Sequence, residues 1–246
     1  LNKQVSFALM KIAWQTRSPL LYKSIVGKQL DERANGGNAY DFQAAMAIRS
    51  GLDLVPDEHS VYSSSDNPFT YWLKMRKHAP KAKARVLEPY PIVFGGNFSK
   101  THNVAMIHHI DSHAETGGPK HKWFYNRLFK TIKTFDTVVT VSNYWKKYLE
   151  QKGCRNVKVI YNAFDPKAYE FSEKEKSDFR NAHNFSTEKP LIYIGNAAPG
   201  KGVYEVYNAL KNCGYQLVMT GGTNKAADLP VKFLSLDAAE YRKLIA

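Results

Sequence analysis

The sequence has few cysteines, a shortage of acidic residues and no long apolar run. Its two cysteines, Cys154 and Cys213, lie far apart and lack the spacing of metal ligands, so a reducing compartment and two structural thiols are expected. No apolar run reaches the roughly 18 residues of a membrane-spanning helix. Acidic residues number 22 against 35 lysines and arginines, and the net charge of +13 favours anionic partners: nucleotides, sugar phosphates, nucleic acid or an acidic membrane face.

Apolar segments of strand length alternate with helical patterns along most of the chain. A hydrophobic content of 43% with 13% aromatic residues is ample for a core. The predicted strands are 5–13, 52–62, 86–94, 104–108, 137–141, 157–161, 191–194, 215–220 and 231–236. The predicted helices are 39–50, 69–78, 120–135, 143–151, 173–184 and 203–212. This alternation predicts an α/β fold with doubly wound parallel sheets.

The composition changes once along the chain, which predicts two domains. Residues 166–190 are polar and charged and are interpreted as an inter-domain connection, which gives domains 1–168 and 169–246. The sequence ends at Ala246 inside a helical pattern, so the second domain is expected to be incomplete. A polar, basic loop is predicted between the first strand and Gly36.

The most suggestive segment is a glycine- and lysine-containing loop between the strand 191–194 and the helix 203–212. Gly195, Lys201 and Gly202 lie in this loop, and backbone N–H groups at a helix start beside a lysine suit a phosphate or diphosphate. An ordinary strand-to-helix turn would look similar. The spacing also fits a P-loop of an NTPase, but Gly202 stands where that loop needs serine or threonine for Mg²⁺.

Two further segments of the first domain are candidates for chemistry. Gly36 and Gly37 precede a helix and form a second glycine-to-helix junction. The strand 104–108 brings His108 and His109 to its carboxyl end, where ligands gather in open α/β sheets. Adjacent histidines on a strand point to opposite sides, so a metal site is not expected.

Basic residues interleave with aromatic ones in two helical segments. Lys74, Arg76 and Lys77 lie beside Trp72, and the segment 120–135 combines aromatic residues with five basic ones. Such helices suit an anionic bilayer or nucleic acid, although solvated helix faces have the same composition.

Taken in order, the segments TVVTVSNYWKKYLEQKGCRNVKVIYNAFD and LIYIGNAAPGKG resemble the GT-B glycosyltransferases, specifically the retaining, nucleotide-sugar-dependent family 4. The resemblance extends from Gly36 to Ala246 and is strongest over 137–210. It implies a GT-B-like fold of two Rossmann-type doubly wound domains, the second one incomplete.

The resemblance also implies roles for individual residues. His108 or His109 corresponds to the histidine near the reacting sugar, and the doubled histidine leaves the register open. Lys201 corresponds to the lysine that pairs with the donor diphosphate. The other implied donor-binding residues are Gly36, Gly37, Asn162, Gly195, Asn196, Gly202, Gly221 and Gly222. No metal ligand and no cofactor are implied, since the nucleoside-diphosphate sugar is a substrate.

Two departures from the family pattern bear on activity. Asn196 stands where the family has an arginine facing the diphosphate, and an amide cannot replace the charge-assisted bonds of a guanidinium. The family's acidic E-x7-E motif would lie beyond Ala246. A non-catalytic nucleotide- or anion-binding protein therefore remains an alternative to the transferase.

The expected function is transfer of a sugar from a nucleoside-diphosphate sugar to a glycan, lipid or small-molecule acceptor. Retention of configuration is implied by the resemblance alone. The expected location is cytoplasmic, with peripheral contact at the inner face of an anionic membrane, and nucleic acid is not an expected partner.

Overall fold

The computed structural model describes residues 10–31, 36–78, 80–96, 100–110, 113–162, 166–194, 202–220 and 229–246. The chain forms two compact units, Leu1–Ala163 and Phe164–Ala246, and each contains its own parallel sheet. The sequence-based domain boundary after residue 168 falls in a short 3-10 helix, Pro166–Tyr169, at the start of the second unit.

The first unit is built on a six-stranded, fully parallel sheet in the order β2-β1-β3-β4-β5-β6. Its strands are β1 (Lys11–Gln15), β2 (Asp53–Pro56), β3 (Ala84–Leu87), β4 (His102–Ile107), β5 (Thr137–Thr140) and β6 (Val157–Val159). Its helices are α1 (Pro19–Gly27), α2 (Gly36–Arg49), α3 (Pro68–Lys77), α4 (Pro89–Gly95), α5 (His113–Thr116), α6 (Pro119–Ile132) and α7 (Asn143–Gln151). The predicted doubly wound α/β architecture is confirmed.

Helices cover both faces of this sheet because successive strand residues point to opposite sides. Leu87 and Ile107 pack with α3, α4, α6 and α7 on one face. Their neighbours Val86 and Met106 pack with α1 and α2 on the other. The strands are therefore apolar on both sides, as expected for a parallel sheet between two helical layers.

The segment 86–94 was predicted as one irregular strand because of Pro89 and Pro91, and this is wrong. The strand ends at Leu87, and α4 follows from Pro89. Proline is tolerated in the first turn of a helix, where its missing N–H would have no intrahelical acceptor. The two prolines therefore mark a helix start.

Two predictions near the amino terminus are also corrected. The polar, basic loop expected after the first strand contains α1, which Ser18 caps by accepting a hydrogen bond from the Leu21 backbone N–H at 3.2 Å. Leu21 and Ile25, one helical turn apart, are fully buried and hold α1 against the sheet. The first strand was predicted at 5–13; positions 5–9 lie outside the described residues, and β1 continues two residues beyond the predicted end, to Gln15.

The second unit contains a three-stranded parallel sheet in the described residues, in the order β7 (Leu191–Tyr193), β8 (Gln216–Thr220), β9 (Lys232–Leu234). Its helices are α8 (Glu173–Ala182), α9 (Val203–Leu210) and α10 (Ala238–Ile245). Val218 and Met219 are fully buried and face two separate apolar clusters, so this sheet too is covered on both faces.

Candidate functional site

Polar and charged side chains gather at the carboxyl-end edge of the six-stranded sheet. Arg17 follows β1, Glu88 follows β3 and His108 follows β4 directly, and parallel strands bring their carboxyl ends to the same edge. The helix α2 begins with Gly36 and Gly37 and carries Asp41 in its second turn. This edge is where a bound ligand is expected.

Asp41 and His108 form a hydrogen-bonded pair at the centre of this edge. His108 Nε2 lies 2.8 Å from Asp41 Oδ1. The Asp41 side chain is only 5% exposed and that of His108 19%. Burial raises the pKa of Asp41 above its ordinary value, while the hydrogen bond and the charge of His108 oppose that shift. The carboxylate fixes the orientation of the imidazole and directs Nδ1 away from itself.

Tyr40 supports the pair from the side. Its ring packs edge-on against the His108 imidazole, with ring centroids 4.7 Å apart. Its hydroxyl donates to the backbone carbonyl of Ile160, just after β6, at 3.1 Å. Burial, and then the charge of Asp41, raise the pKa of Tyr40, so this hydroxyl stays protonated and keeps donating. The histidine is thereby fixed from two directions.

Glu88 is a second buried carboxyl group at this edge. It precedes α4 but makes no side-chain cap, and its Oε1 is buried without a hydrogen-bond partner among the described residues. Burial, and then the charge of Asp41, raise its pKa to about 8, against smaller opposite effects of Thr16 and Arg17. Glu88 is therefore predominantly a neutral acid at pH 7.

A buried polar network lies beneath the edge and fixes the ends of three elements. Gln15 Nε2 donates to Asp57 Oδ2 at 2.5 Å, and Arg85 Nε donates to Gln15 Oε1 at 2.9 Å. All three side chains are buried. Burial lowers the pKa of Arg85 to about 10 and raises that of Asp57, whose hydrogen bond from Gln15 opposes the shift. The network ties β1 and β3 to the segment after β2.

The structure brings together some of the residues predicted from the sequence. Gly36 and Gly37 form the first turn of α2, and His108 contacts Asp41 in the second turn of the same helix. His109 is exposed beside it, and Asn162 is exposed after β6. Their proposed roles in binding stay predictions.

The predicted donor-binding residues of the second unit are described only in part. Gly202 immediately precedes α9 with φ of +69°, a left-handed conformation that glycine adopts without strain. The rest of this predicted set lies outside the described residues: Gly195, Asn196, Lys201, Gly221 and Gly222.

Sequence reasoning missed Asp41 and Glu88. Asp41 lies four residues after Gly37 on the helix that the glycine pair begins, which is the signal that could have identified it. Glu88 lies between the end of a strand and Pro89, where a strand prediction that continued to 94 concealed it.

Two negative findings apply to the part of the chain that the structure describes. It contains no group of three or more histidine, cysteine, aspartate or glutamate side chains arranged to hold a metal ion. Nor does any helix in it combine the length and the apolar character needed to span a lipid bilayer.

Comparison with known sequences identifies the first unit. A sequence model described as Glycosyltransferase Family 4 matches residues 35–168, which is more than half of the chain. The match includes Gly36, Gly37, Asp41, Glu88 and His108. By sequence, no curated protein matches the chain significantly.

Solved structures with a similar fold align over nearly the whole chain. Sucrose-phosphate synthase from Thermosynechococcus elongatus aligns with a TM-score of 0.68 and 14% identity, over 96% of this chain and 73% of that one. HepE from Anabaena, in complex with UDP-glucose, aligns with a TM-score of 0.64 and 18% identity. This alignment covers 96% of this chain and 71% of HepE. A glycosyltransferase from Rickettsia africae aligns with a TM-score of 0.57 and 12% identity. This alignment covers 97% of this chain and 71% of that enzyme.

Proposed function

The chain belongs to Glycosyltransferase Family 4 and has a GT-B-like α/β fold, and from this we propose that it transfers a sugar from a nucleoside-diphosphate sugar to an acceptor hydroxyl, with retention. In this reaction the bond from the anomeric carbon to the diphosphate oxygen breaks, and the acceptor oxygen bonds to that carbon. The acceptor proton passes to the departing diphosphate. Solved structures of HepE with UDP-glucose and with UDP support a nucleotide-sugar donor.

The observation that carries this proposal is the Asp41–His108 pair at the carboxyl ends of the strands. Asp41 accepts the hydrogen bond of His108 Nε2, so Nδ1 is the ring nitrogen available to a substrate. We assign His108 the role of accepting a hydrogen bond from a hydroxyl of the reacting sugar. Asp41 is a positioning residue that fixes the imidazole tautomer.

Lys201 is proposed to bind the donor diphosphate. Departure of a nucleoside diphosphate requires positive charge on its oxygens, and a lysine beside the backbone N–H groups of a helix start supplies it. This assignment requires neither a metal ion nor another cofactor. Eight further residues are proposed to contact the donor: Gly36, Gly37, Asn162, Gly195, Asn196, Gly202, Gly221 and Gly222.

An exposed aromatic and basic surface supports a further proposal, that the protein works at an anionic membrane. We define this aromatic–basic surface as Phe69, Leu73 and Arg76 on α3 with Trp123 and Arg127 on α6. The two helices pack on either side of α4 on one face of the sheet. Phe69 is 67% exposed and Trp123 52%. Exposed aromatic rings beside cations suit a headgroup region, so peripheral binding at the inner face of the membrane is proposed.

Donor binding is the first test. Calorimetric titration of the chain with UDP-, GDP- and ADP-sugars is expected to give saturable binding by at least one of them. Lys201→Ala is expected to weaken that binding about tenfold or more because a charge-assisted contact to the diphosphate is lost. The control is Lys211→Ala, which removes an exposed lysine after α9 and should leave affinity unchanged. Addition of EDTA should also change nothing.

The second test measures release of nucleoside diphosphate. Asp41→Asn and His108→Ala are expected to slow release by a larger factor than they weaken donor affinity. Absence of binding by all three classes of nucleotide sugar, together with tight, salt-sensitive binding of nucleic acid, would refute the transferase proposal.

A further inference from the structure

Arg17 has an unusually well-fixed backbone for a residue in a surface loop. On its amino side, the Thr16 backbone N–H donates to Ser60 Oγ at 3.0 Å. On its carboxyl side, the Ser18 N–H donates to Thr16 Oγ1 at 2.9 Å. Its own carbonyl accepts from the Tyr62 N–H at 3.0 Å. The position of its Cα at the end of β1 is therefore determined by the surrounding structure.

The side chain of Arg17 is also ordered by a contact. Its guanidinium carbon lies 3.8 Å from the centroid of the Tyr90 ring, over the ring face. Contact with the aromatic face leaves the N–H groups around the rim of the guanidinium available to an acceptor. Arg17 is nevertheless exposed. A long side chain that is held before any ligand arrives loses less conformational entropy on binding.

The positive charge of Arg17 is not neutralised by an ion pair in the described part of the chain. No carboxylate there lies within salt-bridge distance of it. One carboxyl group that interacts with it electrostatically is Glu88, and burial and Asp41 raise the pKa of Glu88 to about 8, which favours its neutral form. Among the described residues, the charge of Arg17 is therefore left available to an anionic ligand.

Arg17 lies on the same edge of the sheet as the Asp41–His108 pair. The next residue, Ser18, accepts a hydrogen bond from Asn38 Nδ2 at 3.4 Å, which joins this loop to the first turn of the helix that carries Asp41. Glu88 interacts electrostatically with both Asp41 and Arg17. A sugar that contacts His108 could therefore extend along this edge toward Arg17.

We infer that Arg17, held against Tyr90, binds an oxyanion of the acceptor, which makes the acceptor an acidic sugar or a sugar phosphate. The inference rests on the proposed function and names the acceptor class for the same site. A planar guanidinium offers two parallel N–H groups, and a carboxylate and a phosphate both present a matching pair of oxygens. A neutral sugar offers no such group.

The test compares three probes on the wild-type chain in the presence of UDP: glucose 6-phosphate, glucuronate and glucose. Calorimetry is expected to show that at least one of the two anionic probes binds about tenfold or more tightly than glucose. Glucose 6-phosphate and glucuronate separate a phosphate preference from a carboxylate preference. Equal binding of all three probes, or no binding of the anionic ones, would overturn the inference.

Variants of Arg17 test whether this residue causes the preference for an anionic probe. Arg17→Gln is expected to remove the preference for the anionic probe, and Arg17→Lys to reduce it partially because the charge remains while the planar pair of donors is lost. The control is Arg155→Gln, an exposed arginine just before β6 at the opposite edge of the sheet. That variant should retain the preference. Thermal unfolding of each variant checks that it is folded.

Donor titrations distinguish the possible failures. If no nucleotide sugar binds to the wild-type chain, the proposed function fails and the inference fails with it. If the donor binds normally but Arg17→Gln leaves the anionic preference intact, only the inference fails, and the Tyr90 contact is then packing alone. Weaker donor binding by Arg17→Gln would assign Arg17 to the donor and likewise overturn the inference.

Discussion

Glu88 is a buried carboxyl group whose surroundings disfavour its charged form. Its pKa is raised from 4.5 to about 8, first by burial and then by Asp41. A carboxyl group whose pKa is higher in the folded than in the unfolded state binds its proton more tightly when folded. Its contribution to stability is therefore complete below the unfolded pKa and declines as the pH rises from about 4.5 to about 8.

Replacement of Glu88 by glutamine removes this titration. We expect Glu88→Gln to raise the free energy of unfolding relative to wild type, with little gain at pH 5 and the full gain above pH 8. One pKa unit corresponds to about 1.4 kcal/mol, so the rise from 4.5 to about 8 sets an upper limit of about 5 kcal/mol for the gain at pH 9. Urea unfolding followed by tryptophan fluorescence measures it, since all four tryptophans lie in the first unit.

The control for this measurement is Glu150→Gln on α7, because Glu150 is exposed and forms only a 3.8 Å ion pair with Lys146. The free energy of unfolding of Glu150→Gln should differ little from that of the wild type at every pH. An equal gain for Glu88→Gln at pH 5 and pH 9 would contradict the assignment of a raised pKa.

Prediction of individual site residues was limited by distance along the chain. His108 could be selected because it ends a buried strand, and the glycine pair because it precedes a helix. Asp41 could not be paired with His108, since they are 67 residues apart and only the parallel packing of the strands brings them together. Single residues at strand and helix ends were visible in the sequence, whereas their contacts depended on the fold.

Secondary structure elements were predictable where their ends carry local signals. The bounds of α7, Asn143–Gln151, match the prediction because Ser142 caps its start and Gly153 follows its end with φ of +89°. The helix α4 was missed because its two prolines resemble an interruption. The helix α1 was missed because it is short, and because Lys23 within it and Lys28 after it gave the segment the look of a polar, basic loop.

The start of α3 carries the clearest capping signal in the first unit. Asn67 Oδ1 accepts from the backbone N–H groups of Phe69 at 2.9 Å and Thr70 at 3.0 Å, and Thr70 Oγ1 accepts from the Asn67 N–H at 2.8 Å. Asn67→Ala leaves these N–H groups without their acceptor. We expect a loss of about 1 kcal/mol in the free energy of unfolding, measured by urea denaturation.

Asn67→Asp is the matched variant for this prediction, because aspartate caps helices as well as asparagine does. It should be as stable as the wild type. If alanine and aspartate at this position gave the same stability, the cap would have no energetic role.

At the scale of the whole molecule, the charge of +13 and the aromatic–basic surface lead to one expectation. The chain should sediment with vesicles that contain phosphatidylglycerol and should be released as salt rises from about 0.1 to about 0.5 M, because screening lengths shorten over that range. Vesicles of phosphatidylcholine alone should bind it weakly. Strong, salt-independent binding to those neutral vesicles would exclude an electrostatic contribution.

The contribution of the aromatic rings is separable from that of charge. Phe69→Ser combined with Trp123→Ala leaves the net charge unchanged and should reduce sedimentation with anionic vesicles severalfold. Tyr215→Ser, which removes an exposed aromatic ring of the second unit, serves as the control and should have little effect. If the wild type, the double variant and Tyr215→Ser bound anionic vesicles equally, the aromatic–basic surface would have no role in membrane binding.

The strand order has a consequence for biosynthesis. β1 is synthesised before both of its neighbours in the sheet: β2 is about 40 residues further along the chain and β3 about 70 further. At ribosomal rates of about 5–20 residues per second, β1 waits roughly 4 to 14 seconds for its second neighbour. Trp14 and Ile12, which end up buried on this strand, stay accessible to chaperones during that interval. β1 is thus enclosed by strands on both sides only once β3 has been synthesised.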